Sequence, residues 1–310
     1  MTSSRLYNLD TVMIDVMLKV TALPAPGSDT LASEQLVTTG GGFNVMSAAA
    51  RHGLAALYAG RLGDGPFSDI AREALRGEDI EVAVEPDPTR DIGFCLVLVD
   101  DDGERTFVTS KGAELGLRPE HLESIRPQSG DFVYLSGYNL VYEETRATVT
   151  MWIEHLASDV VVAFDPGARV ADIDGGALDD VLGRADWLLC NTEESFTLSR
   201  QRSIERALDA LALITGRRGI VVHDGAAGCL VATRGGSPTR VDGFATTVVD
   251  TNGAGDVHNG VFLAELARGT EVIGAARRAN AAAAMAIGVL GPAACPPRDE
   301  VSAWYAQFPS

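Results

Sequence analysis

VVDTNGAGDVHNG, residues 248–260, places two valines ahead of a turn of small residues and then an aspartate. It reads as a strand ending at Asp250 and a helix starting near Asp256. Gly253 and Gly255 carry no Cβ, so a ligand could approach the backbone closely. The N–H groups of residues 253–256 would stand unpaired at a helix N-terminus, where the dipole favours anions. Asp256 would stay ionised there and accept a hydroxyl proton. The same N–H groups would hold developing phosphoryl charge. A loose phosphoryl-transfer transition state asks for positioning more than for a strong base. The same stretch equally describes an aspartate that caps a helix, and alone it does not separate the two.

The rest of the chain narrows the choice. It has 310 residues, 46% of them hydrophobic, enough for one large α/β domain or two ordinary ones. The net charge of -18 argues against nucleic acid and anionic membranes as partners, both of which need a basic footprint. Backbone N–H groups and a bound metal could still hold a phosphate. Cys95, Cys190, Cys229 and Cys295 are scattered, without a C-x-x-C pair, and read as reduced thiols. Lys19 and Lys111 are the only lysines, which weakens Schiff-base and pyridoxal-phosphate chemistry. No basic-then-apolar leader opens the sequence, and no apolar run nears the roughly 20 residues that span a bilayer. A soluble cytoplasmic protein is expected. There is no G-x-x-x-x-G-K-[ST], no H-R-D catalytic loop and no H-E-x-x-H.

Short apolar runs at 11–17, 131–137, 159–165, 186–190, 219–224 and 246–250 alternate with helical patterns at 44–53, 142–157, 203–215, 256–268 and 271–290. This rhythm predicts βαβ units around a mostly parallel sheet, covered on both faces by helices. Two segments break it. Residues 30–39 form a strand with no helix before it, and 91–111 form a hairpin about a turn at Asp102-Gly103. Together they predict a small β-sheet lid on a single domain spanning 1–310. Both faces of the 92–99 strand are apolar. One would cover a pocket. The other fits a homodimer through the lid and a peripheral sheet in a monomer equally well.

Further candidates each have an ordinary alternative. Asp15 lies within an apolar strand, where a carboxylate is costly unless used. It suits hydrogen bonds from substrate hydroxyls, or it lies at an exposed strand end. TTGGGFNVMSAAARHG (38–53) is a glycine turn opening a helix, with Asn44 near its start as a ligand contact or an N-cap. NTEES (191–195) could hold water around magnesium through Asn191 and Glu194, or cap a helix. The Gly225-x-x-Gly228 turn could pass beneath a nucleotide or close a plain hairpin.

Taken together, these pieces resemble the ribokinase-like (PfkB) family of carbohydrate and nucleoside kinases. The residues that carry the resemblance are Gly40-Gly41-Gly42-Phe43-Asn44 and Asp250-Thr251-Asn252-Gly253-Ala254-Gly255-Asp256. Asp15, the G-E-R-T hairpin at 103–106, Asn191-x-x-Glu194 and Gly225-x-x-Gly228 fall in the expected order. The resemblance implies a three-layer αβα Rossmann-like core with a β-lid, and an enzyme that uses ATP, magnesium and often a monovalent cation. It makes Asp256 the base and Gly253, Ala254 and Gly255 the anion hole. Asp15, Gly41, Gly42 and Asn44 would bind the sugar or nucleoside, with Asn139 and Arg169 as further contacts. Asn191, Gly225, Gly228 and Asn280 would line the ATP site, Asn191 and Glu194 would serve magnesium, and Asp250, Thr251 and Gly291 would surround a potassium-like ion. The chain departs from the pattern in a shorter glycine turn before Asn44, in His223-Asp224, and in His258. A non-catalytic sugar or nucleotide sensor on the same fold, and a dinucleotide-dependent oxidoreductase using the 40–44 glycines, are the alternatives.

Overall fold

Leu188 and Cys190 of one strand point to one face, Trp187 and Leu189 to the other, and all four are buried. A strand apolar on both faces must lie between two layers. The computed structural model describes residues 4–102, 104–292 and 294–308. Its strands are β1 (Arg5–Asn8), β2 (Val12–Lys19), β3 (Glu34–Gly41), β4 (Ala55–Tyr58), β5 (Glu81–Val82), β6 (Phe94–Val99), β7 (Arg105–Ser110), β8 (Phe132–Ser136), β9 (Val161–Asp165), β10 (Trp187–Asn191), β11 (Gly219–His223), β12 (Cys229–Thr233) and β13 (Thr239–Val241).

Nine strands form the main sheet in the order β13-β12-β11-β10-β9-β8-β1-β4-β5. The pairs from β11 through β5 are parallel, while β11–β12 and β12–β13 are antiparallel. Trp187, Leu189 and Val221 share one core with helices Gly42–Arg51, Ala254–Ala267 and Val272–Ala286. Leu188 and Cys190 share the other with helices Glu143–Glu154, Gly175–Arg184 and Ile204–Leu211. This is the expected three-layer αβα core.

From β1 the chain runs outward to β4 and β5, then returns to β8 on the other side of β1. Such a reversal opens a crevice at the carboxyl ends of the strands, where open α/β sheets bind ligands. A polar residue closes five of the parallel strands there: Asn8, Ser136, Asp165, Asn191 and His223.

The lid is a second sheet in the order β3-β2-β6-β7. The expected hairpin is β6–β7, although Gly103 of its turn lies outside the described residues. Three readings need correction. The 11–17 run belongs to the lid as β2, paired with β3 and β6, and not to the core. The first core strand is β1, an interior strand between β8 and β4 whose buried Asn8 and nearby Asp10 disguise it as polar. Residues 246–250 form no strand: Val248 and Val249 are exposed, and the N–H groups of Val249 and Asp250 both donate to the Ile287 carbonyl. The lid is apolar on both sides because both are used. Ile14 is fully buried, and Phe94 on the same face meets Phe67 of helix Pro66–Gly77, with ring centroids 5.2 Å apart. On the opposite face Met17, Cys95 and Val97 form a small core of their own.

Candidate active site

Asp256 is the third residue of helix Ala254–Ala267. Gly253 precedes this helix at φ 75°, the left-handed region, and a Cβ there would meet the Pro292 carbonyl oxygen at 2.3 Å, so both conformation and space demand glycine. The Ala254 N–H turns back loosely on the Thr251 carbonyl at 3.4 Å, and the Val257 N–H closes onto Gly253 at 2.9 Å. The first N–H groups of a helix have no intrahelical acceptor, which leaves those of Gly255 and Asp256 available to an anion.

Asn44 stands on the other side of the carboxylate. Its Nδ2 donates to Asp256 Oδ2 at 2.9 Å, joining two motifs 212 residues apart. Asn44 is the third residue of its helix and Gly41 is the cap residue, so the N-cap alternative does not hold. The buried Asn44 Oδ1 has no hydrogen-bond partner among the described residues. Gly41 and Gly42 bring the chain from the lid strand β3 straight into this helix. Because the glycine turn follows a lid strand, the dinucleotide-fingerprint alternative fails.

Asp256 does not behave as the helix dipole alone would dictate. Burial, opposed by the Asn44 hydrogen bond and reinforced by Asp165, Asp10 and Asp15, pushes its carboxyl up to about 8. Asp15, on the inner face of β2, is raised to about 6 by burial, with no cation offsetting it. A Cβ on Gly40 would lie 2.3 Å from Asp15 Oδ2, so Gly40 makes room for this carboxylate. Asp10 is raised to about 7, chiefly by burial, and accepts from the Ser136 hydroxyl and the Thr11 N–H. Asp165, at the end of β9, accepts from Asn259 Nδ2 at 2.7 Å and from the Gly167 N–H at 2.9 Å.

Asn191 and Glu194 form a reciprocal capping box at the start of helix Thr192–Ser199. Glu194 nevertheless differs from a surface cap residue. It is buried, and burial together with the Asp165 charge raises its carboxyl. Asp165 is raised in turn, mainly by burial. Gly225 and Gly228 bracket a turn after β11, with open space where a Gly225 Cβ would be. His223 Nε2 lies 3.1 Å from His258 Nδ1, and a Gly255 Cβ would sit 3.8 Å from His223 Nδ1. Burial lowers His223 to about 4 and, joined by His223, lowers His258 well below the usual histidine range. The two rings form a neutral pair beneath the start of helix Ala254–Ala267.

The chain matches the model of the pfkB family carbohydrate kinases over residues 4–299. The chain belongs to this family. It is 30% identical over 303 residues to the uncharacterized sugar kinase YegV of Escherichia coli strain K12, covering 93% of this chain and 90% of that protein. It is 31% identical over 298 residues to an ATP-dependent ribose-1-phosphate kinase of Halopiger xanaduensis, covering 94% and 95%. Its fold is similar to that of Arabidopsis thaliana ribokinase complexed with ribose and ATP, with a TM-score of 0.80, 21% identity, and coverage of 98% and 99%.

Not every residue assigned to this carbohydrate kinase's site faces the crevice. Asn139 is buried, but its Nδ2 donates to the Leu9 carbonyl at 2.7 Å and its Oδ1 accepts from the Ser136 N–H at 3.1 Å. Its amide braces two strand ends and is not free for substrate. Asn280 likewise donates to the Val241 and Asp242 carbonyls at 2.9 and 3.2 Å, supporting the loop after β13 from below. Arg169 is half exposed and pairs with Asp172 at 2.9 Å. Asp250 is fully enclosed, with an ion pair to Arg105. Sequence reasoning missed Asp10, Asp165 and Arg105. Asp165 carried a usable signal, an acid at the carboxyl end of a parallel apolar strand. Asp10 and Arg105 did not, because their partners are remote in sequence.

Proposed function

We propose that this ATP-dependent sugar kinase phosphorylates a hydroxyl of a neutral sugar, with Asp256 as the base. The observation that carries this reading is the Asn44–Asp256 hydrogen bond beside the bare N–H groups of the helix start. It fixes one carboxylate oxygen and leaves the other for the substrate. A base that burial has raised from the ordinary carboxylate range to about 8 suits proton removal better than a surface aspartate would. Asp15 and the open Asn44 Oδ1 would receive and orient the remaining hydroxyls, with Gly41 and Gly42 giving close backbone access. Buried carboxylates without a counter-charge favour donors over anions, so a neutral sugar fits better than the sugar phosphate of the Halopiger relative. Arg169, at the rim, would set how far a longer substrate extends.

The nucleotide would lie across the Gly225–Gly228 turn, its phosphates directed at the start of helix Ala254–Ala267. Among the described residues no ready-made group of three or more metal ligands exists. Magnesium nevertheless fits, because burial raises both Asp165 and Glu194, the Asp165 charge adds to the rise of Glu194, and a cation between phosphates and carboxylates would relieve both. Glu194 and Asn191 would hold it through water, and it would neutralise phosphate charge. Closure of the lid would exclude water and limit wasteful ATP hydrolysis.

No described helix is long and apolar enough to cross a membrane. Four buried free cysteines and ATP as donor support a cytoplasmic setting. Val37 and Val108, exposed on the outer face of the lid, support pairing with a second copy, which light scattering coupled to size exclusion tests. The deciding experiment is ADP release over neutral sugars, sugar phosphates, sugar acids and nucleosides, with Asp256→Asn as the blank. Turnover should appear with a neutral sugar and vanish in the variant. Preference for a phosphorylated sugar would overturn the neutrality argument, and undiminished turnover in the variant would overturn the base.

A further inference from the structure

Asp250 opens the anion-hole turn, and the family resemblance places a potassium-like ion beside it with Thr251 and Gly291. The residues present do not fit that ion. Asp250 Oδ1 accepts from the Arg105 guanidinium at 2.5 Å and from the Asn252 N–H at 2.9 Å. Its Oδ2 accepts from the Gly291 N–H at 3.1 Å. The carboxylate side chain has no exposed surface, whereas that of Arg105 retains 26%. Burial pushes this carboxyl up, but the hydrogen bonds from Asn252, Arg105 and Gly291 outweigh it and hold the group below the ordinary range. A monovalent metal ion would have to displace a guanidinium already in contact.

We propose that Arg105 is the resident cation of this kinase's anion hole, delivered by the lid, and that turnover is independent of a monovalent metal ion. Three observations carry this. First, Arg105 lies 145 residues from Asp250, at the start of the lid's edge strand β7, so the contact forms only when the lid lies over the core. Second, Asp250 is the knot of the turn. It holds the Asn252 N–H directly before Gly253 and the Gly291 N–H of the loop whose Pro292 carbonyl backs Gly253. Third, a guanidinium is always charged and supplies fixed donors, so it neutralises the carboxylate without the exchange that a free ion undergoes. Arg105 is thus a positioning residue: it acts on the phosphate-binding backbone through Asp250. The lid then does two things at once, covering the sugar and completing the charge balance behind the anion hole. The inference does not depend on which sugar is taken.

The test compares wild type, Arg105→Gln and Arg105→Lys in potassium chloride and in tetramethylammonium chloride at equal ionic strength. Wild type should show the same kcat and the same thermal midpoint with ADP and magnesium in both salts. Arg105→Gln should lose roughly 10- to 100-fold in kcat, as for other groups that orient a site from behind. It should regain part of that loss in potassium, with a matching rise in thermal midpoint. Arg105→Lys should fall between the two. Crystals soaked in a thallium(I) salt give a readout free of turnover, with anomalous density beside Asp250 in Arg105→Gln and none there in wild type. Potassium activation of wild type, thallium beside its Asp250, or an Arg105→Gln enzyme indistinguishable from wild type would each overturn the proposal.

Discussion

Asp250 and Asp256 begin and end one seven-residue motif, yet they live in opposite electrostatic worlds. Asp250 is enclosed but well supplied: a guanidinium and two backbone N–H groups hold it below the ordinary carboxylate range. Asp256 is partly buried, but its hydrogen-bonding partner is the neutral Asn44 amide and its neighbours are the acids Asp165, Asp10 and Asp15, so it rises to about 8. Burial raises both carboxyls. What differs is what the tertiary fold sets against each. One aspartate becomes a permanently charged strut, and the other a group able to exchange a proton near neutral pH.

The largest effect expected from breaking this contrast comes at the reactive end. Asp256→Asn should lower kcat by roughly 10²- to 10⁴-fold, the usual range for a positioned acid–base group. Titration calorimetry should show ADP with magnesium binding nearly as in wild type. The same variant should melt at a higher temperature than wild type. In wild type the folded state holds a proton up to about 8 that the unfolded chain releases near 3.8, so stability falls as pH rises between those values. The variant has no such proton, and the gap in melting temperature should therefore widen from pH 4 to pH 8.

At the other end the loss should be structural. Asp250→Asn removes the charge that Arg105 meets. Because the guanidinium is partly exposed, the cost should sit near the low end for a broken buried pair, about 3 kcal/mol by urea unfolding. The contrast is sharpened by Asp165→Asn, which takes away a neighbouring acid. The rising limb of kcat/KM against pH, set by ionisation of the free enzyme's base, should level above about 8 in wild type and move to lower pH in this variant. A limb that does not move would show that Asp165 does not act on Asp256. The smallest expected effect is that of Asn139→Ala, which leaves the Leu9 carbonyl and Ser136 N–H without partners. It should cost about 1–2 kcal/mol of stability and leave the KM for sugar unchanged. A large rise in KM would return Asn139 to the substrate site.

Much of the core was legible because a strand covered on both faces must be apolar throughout. The runs that became β8, β9, β10 and β11 could be read directly for that reason. The same rule misled at β2. A lid strand that faces Phe67's helix on one side and joins Met17 to Cys95 and Val97 on the other looks just like a core strand. It misled again at β1, where buried Asn8 and, just beyond the strand, Asp10 make an interior strand look polar. At 246–250, β-branched residues suggested a strand, but Val248 and Val249 face outward and the backbone pairs with the end of a helix.

The local features of this kinase were set by its sequence: the glycine-forced turn at 253, the helix start that bares N–H groups, the reciprocal cap of Asn191 and Glu194, and the position of Asp256. Each depends on residues a few places apart, where covalent geometry and backbone sterics leave few choices. The values those groups take were decided only by the tertiary structure. Asn44 reaches Asp256 across 212 residues, and Arg105 reaches Asp250 across 145. Asp10 and Asp165 arrive from separate strand ends. A carboxylate's charge depends on the distance to its neighbours and the depth of its burial, and neither is a property of any short stretch of chain.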